Sequence, residues 1–152
     1  MVVFLGVDSS IVRFPQLNLH LYARPDRLES GPPLTVGDAS LRTLLAPNLA
    51  LGCMQVSFEQ VLQRLEELPR LYIELDGSFV WTGQTELQAW QLDGMLYDYA
   101  QHLQRVELKG ACPLESWQVL CAALGSPEQA LVAHLLDHQR FVDAVELESL
   151  WG

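Results

Sequence analysis

The spacing closest to a metal site in this sequence is His134-Leu135-Leu136-Asp137-His138. On a helix, histidines four residues apart share a face and can hold one zinc ion, with Asp137 or a distant carboxylate completing the set. The stretch lacks the glutamate after the first histidine that hydrolytic zinc sites use as a base. It also works only on a helix, because four residues along a strand carry the second imidazole out of reach. His134 and His138 are metal candidates on that condition, and a plain histidine pair at the edge of a core is the commoner outcome.

Two other groupings invite chemistry. Glu74, Asp76, Asp93, Asp98 and Glu107, with His102 near in sequence, would be brought together if their segments joined one sheet. Crowded carboxylates raise one another's pKa and can do acid–base work or hold magnesium. Against that, Asp76 and Asp93 each precede glycine and are explained as turn residues. The aromatics Tyr72, Trp81, Trp90, Tyr97, Tyr99 and Trp117 could line an apolar pocket for a small ligand. Aromatics at strand spacing are more often plain core. No nucleophile elbow, phosphate-cradling glycine loop or dinucleotide fingerprint occurs, and Ser9, Ser40 and Ser126 read as turn or cap residues. Nothing calls for a cofactor, and the balance leans away from an enzyme.

Bulk properties narrow the partners. The chain has 152 residues, 49% of them hydrophobic, which suits one domain with a core that needs no staples. Net charge is −10, and the nine basic residues stand singly along the chain. Binding phosphates takes clustered lysine and arginine, so neither nucleic acid nor an anionic membrane surface is expected. A protein partner or self-association fits, and a small-molecule ligand remains open. The cysteines, Cys53, Cys112 and Cys121, match no zinc or redox spacing and sit among apolar residues, as buried reduced thiols do. The opening Met1 to Val7 carries no signal-peptide charge pattern, and no apolar run reaches the roughly 18 residues of a membrane span, so a cytoplasmic protein is expected.

The elements that must position these residues follow from periodicity. Val2 to Val7 reads as a strand. Gln16 to Ala23 alternates, with Leu17, Leu19, Leu21 and Ala23 on one face and Gln16, Asn18, His20 and Tyr22 on the other. Arg24 to Gly37 is a long Pro/Gly loop and the first place to expect a lid or a binding edge. Asp38 to Leu45 suggests a short helix, and Leu49 to Val56 a buried strand. Ser57 to Leu68 is a helix, with Phe58, Val61, Leu62, Leu65 and Leu68 in one stripe and a Ser57/Gln60 capping box.

The centre of the chain is a hairpin over Arg70 to Gly83. A two-residue Asp76-Gly77 turn would mix Glu74 with Phe79 and Trp81 on one face. A three-residue Leu75-Asp76-Gly77 loop instead pairs Ile73 with Phe79 and Leu71 with Trp81, which gathers the large apolar residues on one face; burial selects this register. Strands are favoured for residues 84–99, with a second turn at Asp93-Gly94 plausible, though a helical template also fits. Gln104 to Gly110 alternates, with Val106 and Leu108 inward and Arg105, Glu107 and Lys109 outward. Pro113 opens a helix that Gly125 closes. Ser126 to Gln129 has capping-box spacing for a helix to His134 or Asp137, although Leu131 to Leu136 could be a strand. Asp143 and Glu146 suggest a capped terminal helix.

The expected architecture is one α+β domain, 1–152, with a mostly antiparallel sheet and two or three helices packed on it. The expected role is a non-enzymatic protein-interaction or assembly module. The alternative is a small-ligand-binding domain with an aromatic-lined pocket (Tyr72, Trp81, Trp90, Tyr97, Tyr99), and last comes a metal-dependent enzyme.

Overall fold

Strand alternation decides which way each side of the sheet points. The structure is a computed structural model that describes residues 14–45 and 52–152. Leu17, Leu19 and Leu21 form the buried face of β1 (Leu17–Ala23), while Asn18, His20 and Tyr22 face away from the core. Two short strands, β2 (Leu34–Val36) and β3 (Ala39–Leu41), follow, then helix α1 (Phe58–Glu66). Next come β4 (Leu71–Ile73), β5 (Ser78–Gln84), β6 (Ala89–Tyr99) and β7 (His102–Gly110). Helix α2 (Leu114–Ala123), β8 (Leu131–Leu135), β9 (Arg140–Asp143) and a 3-10 helix (Ala144–Trp151) end the chain.

Seven of these strands make one antiparallel sheet in the order β4-β5-β6-β7-β1-β8-β9. β4 to β7 are a meander and β8–β9 a hairpin; β1 lies between them and pairs with both. One face carries a continuous core. Leu19, Leu21, Phe79, Trp81, Leu92, Leu96, Val106 and Leu108 from the sheet meet Val61 and Leu65 of α1, and Trp117 and Leu120 of α2. Burying each large apolar side chain contributes roughly 1.5–3 kcal/mol. Two tryptophan donors find carbonyls: Trp81 Nε1–H donates to Pro69 O at 3.1 Å, and Trp151, stacked on Trp117, donates to Cys112 O at 2.9 Å. The α+β class, the antiparallel sheet and the helices over it are as the sequence indicates. No helix among the described residues is long and apolar enough to cross a membrane.

The central hairpin has the bulged register. Ile73 faces Phe79, Tyr72 faces Val80 and Leu71 faces Trp81. Gly77 takes φ 97°, the left-handed conformation that the three-residue loop demands. Helix α1 carries the expected capping box: Gln60 N–H donates to Ser57 Oγ at 3.1 Å, and Ser57 N–H donates to Gln60 Oε1 at 2.9 Å.

Several expectations are overturned. The Asp38–Leu45 segment is no helix: β3 folds back on β2 through the Gly37-Asp38 turn, so the irregular stretch after β1 stops at Pro33. Residues 52–56 form no strand, although Met54 N–H donates to Leu103 O at 2.8 Å; the rest of the Leu49–Val56 expectation, like the Val2–Val7 strand, lies outside the described residues. Asp93-Gly94 is no turn. Both residues lie inside β6, and the chain reverses at Ala100-Gln101, where both residues have positive φ. Gly94 is in β6 because the Phe79 ring rests on it; a Cβ there would fall 2.1 Å from Phe79 Cζ. Pro113 is the residue before α2 rather than its first helical residue.

The helix drawn from Ser126 toward His134 is absent, and the strand alternative holds as β8. Leu131, Val132 and Ala133 are all buried, as in a strand flanked on both sides. The terminal helix exists as a 3-10 helix with Asp143 at its N-cap position, but the Asp143 side chain makes no capping hydrogen bond. Its carboxylate pairs with Arg24 instead.

Candidate functional site

The face of the sheet opposite the helices carries three cross-strand rows. The first runs Val80, Asp93, Lys109, Asn18; the second Ser78, Met95, Glu107, His20, His134, Phe141; the third Tyr97, Arg105, Tyr22, Val132, Asp143. Directly opposed residues are close enough to interact, and this proximity lets single residues from distant parts of the chain share one surface.

Glu107 is the hub. Tyr97 donates its hydroxyl to Oε1 at 3.0 Å, and Arg105 donates Nε–H to Oε2 at 3.1 Å. The Arg105 guanidinium lies 3.8 Å over the Tyr97 ring centre, a cation–π contact that fixes its plane. His20 Nε2 is 3.4 Å from Oε2 on the same carboxylate, and the Tyr22 hydroxyl is 3.5 Å from His20 Nδ1. One tautomer serves both contacts: Nε2–H donates to Glu107 and Nδ1 accepts from Tyr22. His20 is within ion-pair distance of a carboxylate, yet burial holds its pKa below the ordinary histidine value. Glu107 pulls the other way less strongly than burial does, and Arg105 and His134 add to the lowering. Near pH 7 the contact is therefore a hydrogen bond from neutral imidazole. Burial likewise raises the Tyr22 phenol above its ordinary value, so it stays protonated. Beside this network is an open depression of about 300 Å³, lined by Asn18, His20, Asp93, Met95, Glu107, Lys109 and Leu136 among others.

The sheet separates the aromatic set. Tyr97 lies on the polar face and Tyr72 on the same side of β4, whereas Trp81 and Trp90 lie on the core side, edge to face at 5.6 Å. Tyr99 stands exposed at the end of β6. The five residues do not surround one pocket. Trp90 alone borders a wide recess of about 560 Å³ at the sheet end, with Phe14, Gln16, Gln88 and Gln91. Of the carboxylates, Asp93 and Glu107 line the 300 Å³ depression and Glu74, Asp76 and Asp98 do not. Asp76 acts as a turn residue, accepting from Ser78 N–H at 2.9 Å and Ser78 Oγ–H at 2.7 Å.

The condition for the histidine metal pair fails. His134 is on β8, stacked on Phe141 at 4.3 Å, and His138 is in the turn that follows. No group of three histidine, cysteine, aspartate or glutamate side chains is placed to hold a metal among the described residues. Cys112 and Cys121 are buried free thiols whose pKa burial pushes up to about 12. They are thus inert as nucleophiles.

The second feature is the β4 edge. Glu74 N–H donates to Ser78 O and Thr82 N–H to Arg70 O, so residues 70, 72 and 74 bond with β5. Antiparallel bonding uses alternate residues, which turns the backbone groups of Leu71 and Ile73 outward. Leu71 N–H is folded back onto Leu68 O at 3.3 Å; the Leu71 carbonyl and both Ile73 groups face the edge. Around them Tyr72 is 69% exposed, Val80 37% and Leu75 86%, an apolar patch beside unpaired strand backbone.

Sequence reasoning placed His20, Tyr22, Arg105 and Glu107 on outward strand faces but did not join them. Alternation gives a residue's face and not its neighbour across the strand pair, and Glu107 faces His20 and Arg105 faces Tyr22 from the far side of the chain. No known family model matches the chain, and neither a characterised protein nor a solved structure resembles it closely enough to match.

Proposed function

We propose that this chain is a non-enzymatic protein-interaction or assembly module that takes an extended segment of its partner along β4. What supports the reading is the outward backbone of Leu71 and Ile73 beside exposed Tyr72, Val80 and Leu75. Added strands gain main-chain hydrogen bonds, and flanking side chains set which segment fits. Charge on this edge stands only at its flanks, Arg70 and Glu74, and an exposed tyrosine stands at its middle. The test is a photo-activated crosslinking residue at position 72, with the same residue at exposed Val119 on α2 as control. Adducts formed in the producing cell from position 72 and not from 119 are the expected result; no adduct from position 72 overturns the reading.

A second reading is favoured by the depression beside Glu107: a small polar ligand bound by Glu107, His20, Asp93 and Lys109. Its support is the convergence of both charge signs on an apolar floor that includes Met95. A thermal-shift screen of small zwitterions and polyols checks it. A hit must raise the melting temperature of the native chain and lose that effect in Glu107→Gln; no such hit overturns it.

A further inference from the structure

Building on the edge-pairing reading, we infer that the segment β4 receives is β4 of a second copy of this chain, antiparallel about a two-fold axis at Tyr72. The edge reads Arg70-Leu71-Tyr72-Ile73-Glu74, a sequence that is charge-complementary to itself when reversed. With the axis at Tyr72, Arg70 stands opposite Glu74 of the second copy, and Glu74 opposite its Arg70. Both side chains are exposed, and neither has an ion-pair or hydrogen-bond partner among the described residues.

The backbone phase agrees with that axis. Leu71 and Ile73 are the residues whose groups point outward, and this register makes them the hydrogen-bonded pair, twice over. Ile73 N–H donates to the Leu71 carbonyl of the second copy, and the second copy's Ile73 N–H donates to this Leu71 carbonyl, while the Leu71 N–H stays on Leu68 O. Tyr72 then faces its own equivalent across the closely spaced, non-hydrogen-bonded position, where aromatic pairs gain most. An axis at Leu71 would ask Pro69, which has no N–H, to face Ile73. An axis at Ile73 would enlist Leu75, which has left the strand for the turn. Only the axis at Tyr72 takes its hydrogen-bonding residues, Leu71 and Ile73, from within the strand, with Arg70 (φ 64°, in the turn before β4) and Glu74 flanking it. The result is a fourteen-stranded sheet continuous across two copies, from a seven-stranded sheet in each.

So short an edge makes a small interface, and the dimer is weak and concentration-dependent. Analytical ultracentrifugation across a concentration series measures it, with circular dichroism to confirm that each variant folds. The native chain should pass from monomer to dimer. Arg70→Glu or Glu74→Arg alone, which sets like charges face to face at two places, should weaken the dimer about tenfold or more. The two together restore the opposite pairing and should return the dissociation constant to within about threefold of native. A chain that is monomeric up to about 1 mM, or a dimer that ignores these swaps, overturns the inference. Failure of the inference and of the broader reading are separable by the crosslink at position 72. An adduct with a different protein leaves the interaction module standing without self-pairing, and no adduct removes both.

Discussion

The sheet ends in two different ways. At β9 the chain covers its own edge: Leu44 N–H donates to Phe141 O at 2.7 Å, and Leu44 in turn bridges to Ser30. Gly31 N–H to Thr43 O and Leu45 N–H to Glu29 O bind the two covering layers together. Arg24 to Asp143 and Arg42 to Glu146 clasp the cover to the strand and to the helix behind it. At β4 nothing comparable lies over the outward groups of Leu71 and Ile73 among the described residues. Both edges expose the same backbone chemistry, so the difference is one of supply. The long excursion after β1 provides backbone for β9, and the tight connections around β4 have none to give. A long loop that looked like a lid from its length and composition is, at residues 29–31 and 42–45, edge cover.

The largest way to break this comparison is to remove β4 altogether. Gly77 sets the bulged turn that holds β4 on β5, and a Cβ there would be 2.7 Å from Leu96 O in addition to the strained φ. Gly77→Val should cost about 3 kcal/mol in a urea-unfolding experiment. A neutral result would sink the account of the hairpin.

The same tripeptide shows how far the sequence could be read. Leu75-Asp76-Gly77 and Leu92-Asp93-Gly94 are identical, yet the first is a turn and the second the middle of a strand. Hairpin register was legible at the first because one-residue slips change which side chains are buried, and Phe79, Trp81 and Leu71 leave one choice. The second glycine answers a neighbour across the sheet, the Phe79 ring, which no local rule sees. The true turn at Ala100-Gln101 lacks the Asn or Gly that positive φ normally recruits. β8 was ambiguous for a related reason: a short, mostly apolar stretch, Leu131 to Leu136 with His134 within it, suits a buried strand or a helix, and only its place between β1 and β9 decides. The outward faces of His20, Tyr22, Arg105 and Glu107 were readable, and the Glu107 cluster was not, because it is made by strand pairing over long sequence separations.

The next effect tests the closed edge directly. Leu44→Pro removes the N–H that bonds Phe141 and leaves that carbonyl without its donor, for about 1–2 kcal/mol. Amide exchange gives the contrast within the native chain. In dilute solution the Leu44 amide should be protected and the Ile73 amide should exchange as an open one does. Equal protection at the two would erase the difference between the edges.

The smallest effect concerns acid, and it separates the edges by the kind of bond at each. Two carboxyls are held below their ordinary pKa. Asp76, beside the open edge, is lowered by hydrogen bonds from the Ser78 hydroxyl and backbone N–H. Glu146, at the closed edge, is lowered by hydrogen bonds from Arg42, side chain first, with the guanidinium charge adding to them. A carboxyl lowered in the fold adds stability that is complete above its ordinary value of about 4 and fades as pH falls through the folded value. Asp76→Asn and Glu146→Gln should therefore each make the loss of stability below about pH 4 less steep. Salt tells them apart. The donors at Asp76 are neutral, while those at Glu146 come from a cationic residue whose side chain is 89% exposed. Raising the ionic strength to about 0.5 M should shrink the Glu146 contribution, because exposed charge pairs are screened, and leave that of Asp76 in place. Measuring the urea midpoint from pH 6 to pH 3 at low and high salt reads both. If salt affected the two carboxyls alike, the closed edge would not be held by charge, and Arg42 would be a bystander to the cover it appends.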